Sequence, residues 1–253
     1  MERVKIEMRD RVAVVTLQDP ERRNALSLPM AEAVAEAFGS LEASHDVGAV
    51  VLTGAPPAFS AGADLNDLEH ASRSRLRRIY EGFLAVSRFP LPTVAAVNGP
   101  AVGAGLNLAL ACDIRVAARS ARFESRFLDI ALHPGGGHTW MLNRLLGPQG
   151  AAAVVSCGES LDGESATRLG LAWSCVEDGS LMDEACRLAS RAAAAPEGLT
   201  RRIKATMRAS ESLGEHGDAV DLELDAQLWS VEQPEFRKRL TALKTRITGR
   251  RRR

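Results

Sequence analysis

Charged and apolar side chains alternate over residues 3–9, and residues 11–18 place Val12, Val14, Val15 and Leu17 close together. With Arg9-Asp10-Arg11 between them as a turn, the two stretches predict a β-hairpin. Residues 19–24 read as loop. Ser27 is positioned to cap a helix whose first turn holds Pro29. Ala31, Val34, Ala35, Phe38 and Leu41 then recur at helical spacing, so one face of that helix should be buried. A short apolar run at 47–53 predicts a buried strand, followed by a loop from Gly54 to Ala61. Residues 72–89 predict an arginine-rich helix. Residues 93–97 predict a strand that enters a Gly-rich turn and a helix to about Ala111, and 113–117 predict another strand. This alternation implies α/β layering around buried parallel strands.

From Gly137 onward helical periodicity dominates, over 139–146, 149–157, 163–169, 181–195, 199–209, 218–230 and 235–245. Ala194-Ala195-Pro196-Glu197-Gly198 marks a boundary, because proline cannot continue the preceding helix. The expected organisation is a core at 1–195 and a helical region at 196–253 that ends in a basic tail. Leu222, Leu228, Trp229 and Phe236 give the second region apolar surface suited to oligomerisation.

Composition narrows the function classes. The chain has 253 residues, 45% apolar and 25% charged, with 32 basic against 32 acidic side chains. That balance gives no reason to expect a nucleic-acid surface, and the Arg250–Arg253 run reads as a solvated tail. Cys112, Cys157, Cys175 and Cys186 show neither CxxC spacing nor a Cys/His cluster, so no metal site is expected. Reduced thiols and a strand-like N-terminus without a signal sequence point to a cytoplasmic protein. No apolar run reaches the roughly 20 residues that cross a bilayer.

Two segments carry the chemistry. In Phe59-Ser60-Ala61-Gly62-Ala63-Asp64-Leu65 and in Val97-Asn98-Gly99-Pro100-Ala101-Val102-Gly103-Ala104-Gly105-Leu106-Asn107, an apolar strand runs into a small-residue turn that opens a helix. Such turns leave backbone N–H groups pointing outward. Two converging turns suit an oxygen that gains negative charge.

Taken with Pro20-Glu21-Arg22-Arg23-Asn24-Ala25-Leu26, Leu108-Ala109-Leu110-Ala111-Cys112-Asp113, Pro134-Gly135-Gly136-Gly137 and Ala166-Thr167-Arg168-Leu169-Gly170-Leu171, these segments resemble the crotonase (enoyl-CoA hydratase/isomerase) superfamily along nearly the whole chain. The resemblance implies a spiral of ββα units with a C-terminal helical region, assembled as a homotrimer or homohexamer. It implies an acyl-CoA thioester as ligand, with coenzyme A as part of the substrate and no further cofactor. It implies that the N–H groups of Ala63 and Ala104 hold the thioester oxygen. The two glutamates of the family's hydratases fall at Asn107 and Phe127, and a third acidic position used by some isomerases falls at Gly135. None of the three can ionise, so two-glutamate hydration does not carry over. The chain is then either an enzyme that stabilises a thioester enolate by another route or a non-catalytic acyl-CoA binder.

Three side chains are candidates for the missing acid or base. Glu124 lies on the loop of the second glutamate, and it either reaches the acyl carbons or pairs with Arg126 or Arg122. His133 and His138 bracket the Pro-Gly-Gly-Gly turn, and each either transfers a proton or hydrogen-bonds the turn. By resemblance, Arg22 and Arg23 lie near the phosphates of CoA, for which a guanidinium is suited. Ala25, Ala61, Asp64 and Leu65 would line the adenine and pantetheine side. Leu76, Ile79, Leu84, Phe127 and Trp140 would wall the acyl pocket.

Overall fold

A computed structural model describes residues 2–250, with side chains described as far as residue 247. The tail residues Arg251 to Arg253 lie outside the described residues. The chain divides into two compact units, Met1–Ala194 and Ala195–Arg253.

In the first unit, β1 (Val4–Arg9) and β2 (Val12–Leu17) form the expected antiparallel hairpin, with Asp10 in the left-handed region at φ 53°. Helix α1 (Leu28–Glu42) starts at Ser27, whose hydroxyl accepts from the Met30 N–H. Its buried face holds Met30, Ala31, Val34, Ala37, Phe38 and Leu41, whereas Ala35 is only half-buried at the edge of the stripe. Then come β3 (Ala49–Gly54), a short helix α2 (Leu65–Glu69) and α3 (Arg73–Arg88). They are followed by β4 (Thr93–Val97), β5 (Pro100–Val102), α4 (Ala104–Leu110), β6 (Ile114–Ala118) and β7 (Arg122–Glu124). Helix α5 (His138–Ser156) breaks at Gly147, φ 69° and ψ 175°, just before Pro148. That break explains why periodicity predicted two helices there. The unit closes with β8 (Leu161–Asp162), α6 (Gly163–Arg168), β9 (Ser174–Val176) and α7 (Leu181–Ala193).

A six-stranded sheet runs β1-β2-β3-β4-β6-β9, parallel from β2 onward, and β5-β7-β8 form a second, three-stranded sheet. The central strands β2, β3, β4 and β6 are buried on both faces, and their side chains divide between them with period two. Val15, Leu17, Val50, Leu52, Ala95 and Val97 join the core shared with α1 and α3. Val12, Val14, Val51, Val94 and Val116 meet Leu181, Ala185 and Ala189 of α7 on the other side. Strand β9 and the two-residue β8 interrupt the stretch after Gly137 in which helical periodicity dominates. At two and three residues, these strands are too short to show a period of two.

The second unit contains α8 (Glu197–Ser210), α9 (His216–Glu232) and α10 (Pro234–Arg250). No residue of α9 is buried. The Arg202 guanidinium lies over the Trp229 ring, 4.3 Å from its centroid.

Candidate functional site

The site grows from two loops fixed from beneath. Asn24 Nδ2 donates to the carbonyls of Ala55 and Ala58, each at 2.8 Å, and Ser60 Oγ donates to the Asn24 carbonyl at 2.8 Å. Leu26 bridges in parallel across Ala63, accepting from the Asp64 N–H and donating to the Gly62 carbonyl. In such a bridge the amide between the two bonded groups points the opposite way, so the Ala63 N–H faces away from Leu26. In the second loop, β5 bridges to Ser60, and Gly103 turns at φ 49° and ψ −110° into α4. Ala104 is the first residue of α4, so its N–H has no carbonyl in its own helix to reach. The loops abut closely. A Cβ on Gly105 would lie 2.4 Å from the Ser60 carbonyl oxygen, and one on Gly62 would lie 3.7 Å from the Ala104 nitrogen. Only glycine lets α4 approach the first loop at Gly105.

A cavity of about 400 Å³ opens above them. Ala61, Gly62, Ala63, Leu65, Gly103 and Ala104 of the two loops line it. Leu68, Leu76, Ile79 and Tyr80 of α2 and α3 line it as well, and Phe127, Ile130, Leu132, His133 and Gly135 complete the lining. Asp67 of α2 accepts from the Leu28 N–H at 2.7 Å and from Arg75 Nε at 3.1 Å. Burial pushes its carboxyl up, but the bonds from Arg75 and Leu28 more than offset this and hold it below the ordinary value.

At the cavity floor, three side chains form a hydrogen-bonded chain. Asn107 Nδ2 donates to the Gly135 carbonyl at 2.9 Å, Asn107 Oδ1 lies 2.7 Å from His138 Nδ1, and His138 Nε2 lies 3.0 Å from Ser125 Oγ. The Phe127 ring stands edge-on to the imidazole at 4.9 Å. Ser125, His138 and Asn107 are all buried. Burial pushes the His138 imidazole down to about 4, so it is neutral near pH 7. His133 is exposed at the cavity rim, and its Nδ1 is 2.7 Å from the Pro134 carbonyl oxygen. A carbonyl can only accept, so Nδ1 is the donor in this contact and Nε2 is the nitrogen not engaged by it.

The structure therefore brings Ala61, Ala63, Leu65, Ala104, Asn107, Phe127, His133 and Gly135 together around one cavity. Other expected residues lie elsewhere. Glu124 lines a separate recess and pairs with Arg126 at 2.6 Å, which is the ion-pair alternative of the sequence reading. His138 sits behind the cavity surface. Trp140 points outward, 60% exposed, with the Arg144 guanidinium 4.7 Å from its ring centroid, so the first turn of α5 directs it away from the acyl pocket. Leu84 packs against the core. Arg22 is exposed and reaches Asp64 at 3.5 Å, Arg23 adopts a left-handed turn, and Ala25 is buried below the loop. Asp64 caps α2 by accepting from the Asn66 N–H at 2.9 Å. Sequence reasoning missed Ser125 and Tyr80. Nothing in the sequence ties Ser125 to a histidine thirteen positions on, because the intervening turns alone join them. Among the described residues no cluster suits a metal ion, and no helix is long and apolar enough to cross a membrane.

Comparison with known proteins adds family identity to this geometry. Residues 7–246 match the family model described as Enoyl-CoA hydratase/isomerase. The chain is 49% identical over 244 residues to the protein named "Probable enoyl-CoA hydratase EchA14" of Mycobacterium tuberculosis, covering 93% of this chain and 94% of the relative. It is 34% identical over 239 residues to the 1,2-epoxyphenylacetyl-CoA isomerase of Escherichia coli, covering 91% of each. The crystal structure of an enoyl-CoA hydratase from Bacillus anthracis superposes with a TM-score of 0.90 at 26% identity, over 96% of both chains. The layered core with its helical C-terminal region is the crotonase fold, and the chain belongs to the enoyl-CoA hydratase/isomerase family.

Proposed function

We propose that this protein is an acyl-CoA-processing enzyme that binds a thioester in the cavity, places its carbonyl oxygen against the N–H groups of Ala63 and Ala104, and moves one proton on the resulting enolate. The observation that carries this reading is the pair of outward-facing amides on abutting loops beside an apolar cavity. An enolate places negative charge on that oxygen, and fixed N–H donors stabilise it more than they stabilise the ground-state carbonyl. Loss of one such donor costs on the order of a hundredfold or more in rate.

His133 is the proposed proton carrier, because its imidazole lines the cavity at the rim and the Nδ1 contact to the Pro134 carbonyl leaves Nε2 as the nitrogen that can exchange a proton with the acyl group. Asn107 and Phe127, at the expected glutamate positions, cannot take up a proton near neutrality. Migration or exchange of hydrogen is therefore the reaction supported, in place of hydration by an acid–base pair. Arg22 and Arg23 are proposed to meet the CoA phosphates in front of the first loop. The exposed apolar side chains Leu224, Leu228, Val231 and Phe236 support a proposed homotrimer or homohexamer.

Mass spectrometry of enoyl-CoA and saturated acyl-CoA thioesters incubated with the protein in heavy water tests the reading. Exchange or migration of single hydrogens is the expected result. Addition of a whole heavy-water molecule would reveal a second acid–base group and overturn the one-proton reaction. Binding with every thioester recovered chemically unchanged would make the protein a carrier and not an enzyme.

A further inference from the structure

The hydrogen-bonded chain beneath the cavity has a use beyond holding the fold. We propose that Ser125, His138 and Asn107 act as nucleophile, base and orienting group, and that the cavity hydrolyses acyl-CoA thioesters through an acyl-serine. This rests on the reading that the cavity seats a thioester.

Hydrogen-bond chemistry fixes every proton in the chain. The Gly135 carbonyl can only accept, so the Asn107 amide turns its NH2 toward it and its oxygen toward His138. That oxygen can only accept in turn, so His138 Nδ1 carries the proton and Nε2 presents a lone pair. The Ser125 hydroxyl, 3.0 Å from Nε2, is left to donate into it. The result is the tautomer and orientation that a nucleophilic hydroxyl requires of its base. The alternative is that a buried hydroxyl merely satisfies a buried imidazole. Two features favour catalysis. Ser125 and Asn107 both line the cavity, and Ala63 and Ala104 line the same cavity. A thioester carbonyl held at those amides would lie in the space that Ser125 borders.

The chemistry balances without any further reagent than water. Ser125 Oγ attacks the thioester carbon while its proton passes to His138 Nε2, and the carbonyl oxygen takes negative charge against the two N–H groups. The carbonyl re-forms as the carbon–sulfur bond breaks, and the CoA sulfur leaves with the proton from Nε2. Water then repeats the sequence on the acyl-serine, giving the carboxylic acid and restoring the Ser125 hydroxyl. Nothing is oxidised or reduced. Asn107 orients the imidazole but brings no negative charge to the imidazolium, and burial also opposes that charge. This slows both steps. Because the acyl-serine is an oxygen ester, less reactive than the thioester that forms it, its hydrolysis should be the slower step and the acyl-serine should accumulate.

The test uses the full-length protein with butyryl-CoA, which has no double bond to hydrate. Thiol release is followed with a thiol reagent, the protein by intact mass and peptide mapping, and butyryl-CoA binding by calorimetry. The expected result is thiol release above the buffer rate together with a butyryl group on Ser125. Ser125→Ala should bring release down to the buffer rate and abolish the adduct, while binding stays within about threefold and the thermal melt is retained. His138→Gln should slow release by on the order of a hundredfold. Should Ser125→Ala fail to fold, Ser125→Cys keeps a nucleophile of similar size, and its acyl adduct should be released by hydroxylamine. Release at the wild-type rate from Ser125→Ala, or an adduct on another residue, overturns the proposal. Binding of butyryl-CoA with neither thiol release nor adduct also overturns it and leaves the reading of the cavity standing. Failure of butyryl-CoA and of enoyl-CoA thioesters to bind at all overturns both.

Discussion

The depressed titration of His138 makes a quantitative statement about stability. The imidazole is about 1% exposed and is held down from an ordinary 6.5 to about 4 by burial. As pH falls through 6.5, the unfolded chain takes up a proton here and the folded chain does not, so the unfolded state gains. The contribution is thus fully present above 6.5, shrinks as pH falls, and is gone below about 4. At about 1.4 kcal/mol per pH unit, the 2.5-unit separation between 6.5 and 4 amounts to about 3 kcal/mol. Integrating over the two titrations places about 2 kcal/mol of this between pH 7 and pH 5. His138→Gln removes the titration but keeps an amide able to donate to Asn107 and accept from Ser125. Urea unfolding of both proteins at pH 7, 6 and 5, at matched protein concentration, isolates the effect, since every other titrating group is shared. The gap in unfolding free energy between wild type and variant should move by about 2 kcal/mol against the wild type from pH 7 to pH 5. Parallel stability curves would show that His138 is either solvated or already charged, and the tautomer argument for the Ser125 chain would fall with that result.

Three other substitutions probe the frame around the cavity. Asn107→Ala leaves His138 Nδ1–H and the Gly135 carbonyl without their partner and should cost about 1–3 kcal/mol in urea unfolding. Gly105→Ala would be mildly favourable in an unhindered helix by about 1 kcal/mol. Here its Cβ meets the Ser60 carbonyl at 2.4 Å, so it should instead destabilise by about 1–3 kcal/mol and lower turnover by displacing Ala63. Asp67→Asn weakens the charged bond from α2 to Arg75 of α3. Its destabilisation should be largest near pH 7 and shrink as pH falls through the carboxylate range, because the wild-type carboxyl, held low, then loses its own advantage. Chemical denaturation at pH 7 and pH 4 compares the two.

What the sequence revealed depended on the range over which each signal acts. The hairpin, α1 and the strands at Ala49–Gly54 and Thr93–Val97 were legible, since each is set by a local period and a local cap. Ser27 and the Arg9-Asp10-Arg11 turn sit within a few residues of what they control. Strands β5, β7, β8 and β9 are two or three residues long and exist only through their partners, so no window of sequence could show them. The two small-residue loops were legible for the same local reason, and the family resemblance carried along them singled out Ala63 and Ala104. His138 and Glu124 were recognisable as ionisable residues near the right turn. Their surroundings were not, because burial and pairing are tertiary: one ended up buried against Asn107, the other held by Arg126. Ser125 left no signal at all, since a serine gains its meaning here from an imidazole brought close by the path of the chain between residues 125 and 138.

The floor of this cavity is neutral by construction, and that restricts its chemistry. Asn107, His138 and Ser125 satisfy one another, with the last acceptor supplied by the Gly135 backbone. A charge added there meets a low-dielectric surround with no counter-ion in that chain, which is why the imidazole resists protonation. A proton can therefore be transferred in only two ways. It can come and go at the rim, where His133 and Asp129 are exposed to solvent, or it can pass along the chain during a step that creates opposite charge nearby. Enolate chemistry takes the first route and thioester cleavage at Ser125 takes the second. Both place negative charge on the same carbonyl oxygen, so they share the Ala63 and Ala104 amides and differ in which side chain meets the acyl group. Replacing His133 with Gln should therefore remove hydrogen exchange and leave thiol release from butyryl-CoA in place, whereas replacing Ser125 with Ala should do the reverse. Parallel loss of both activities in each variant would show that the rim and the floor are one acid–base system, and would refute their separation.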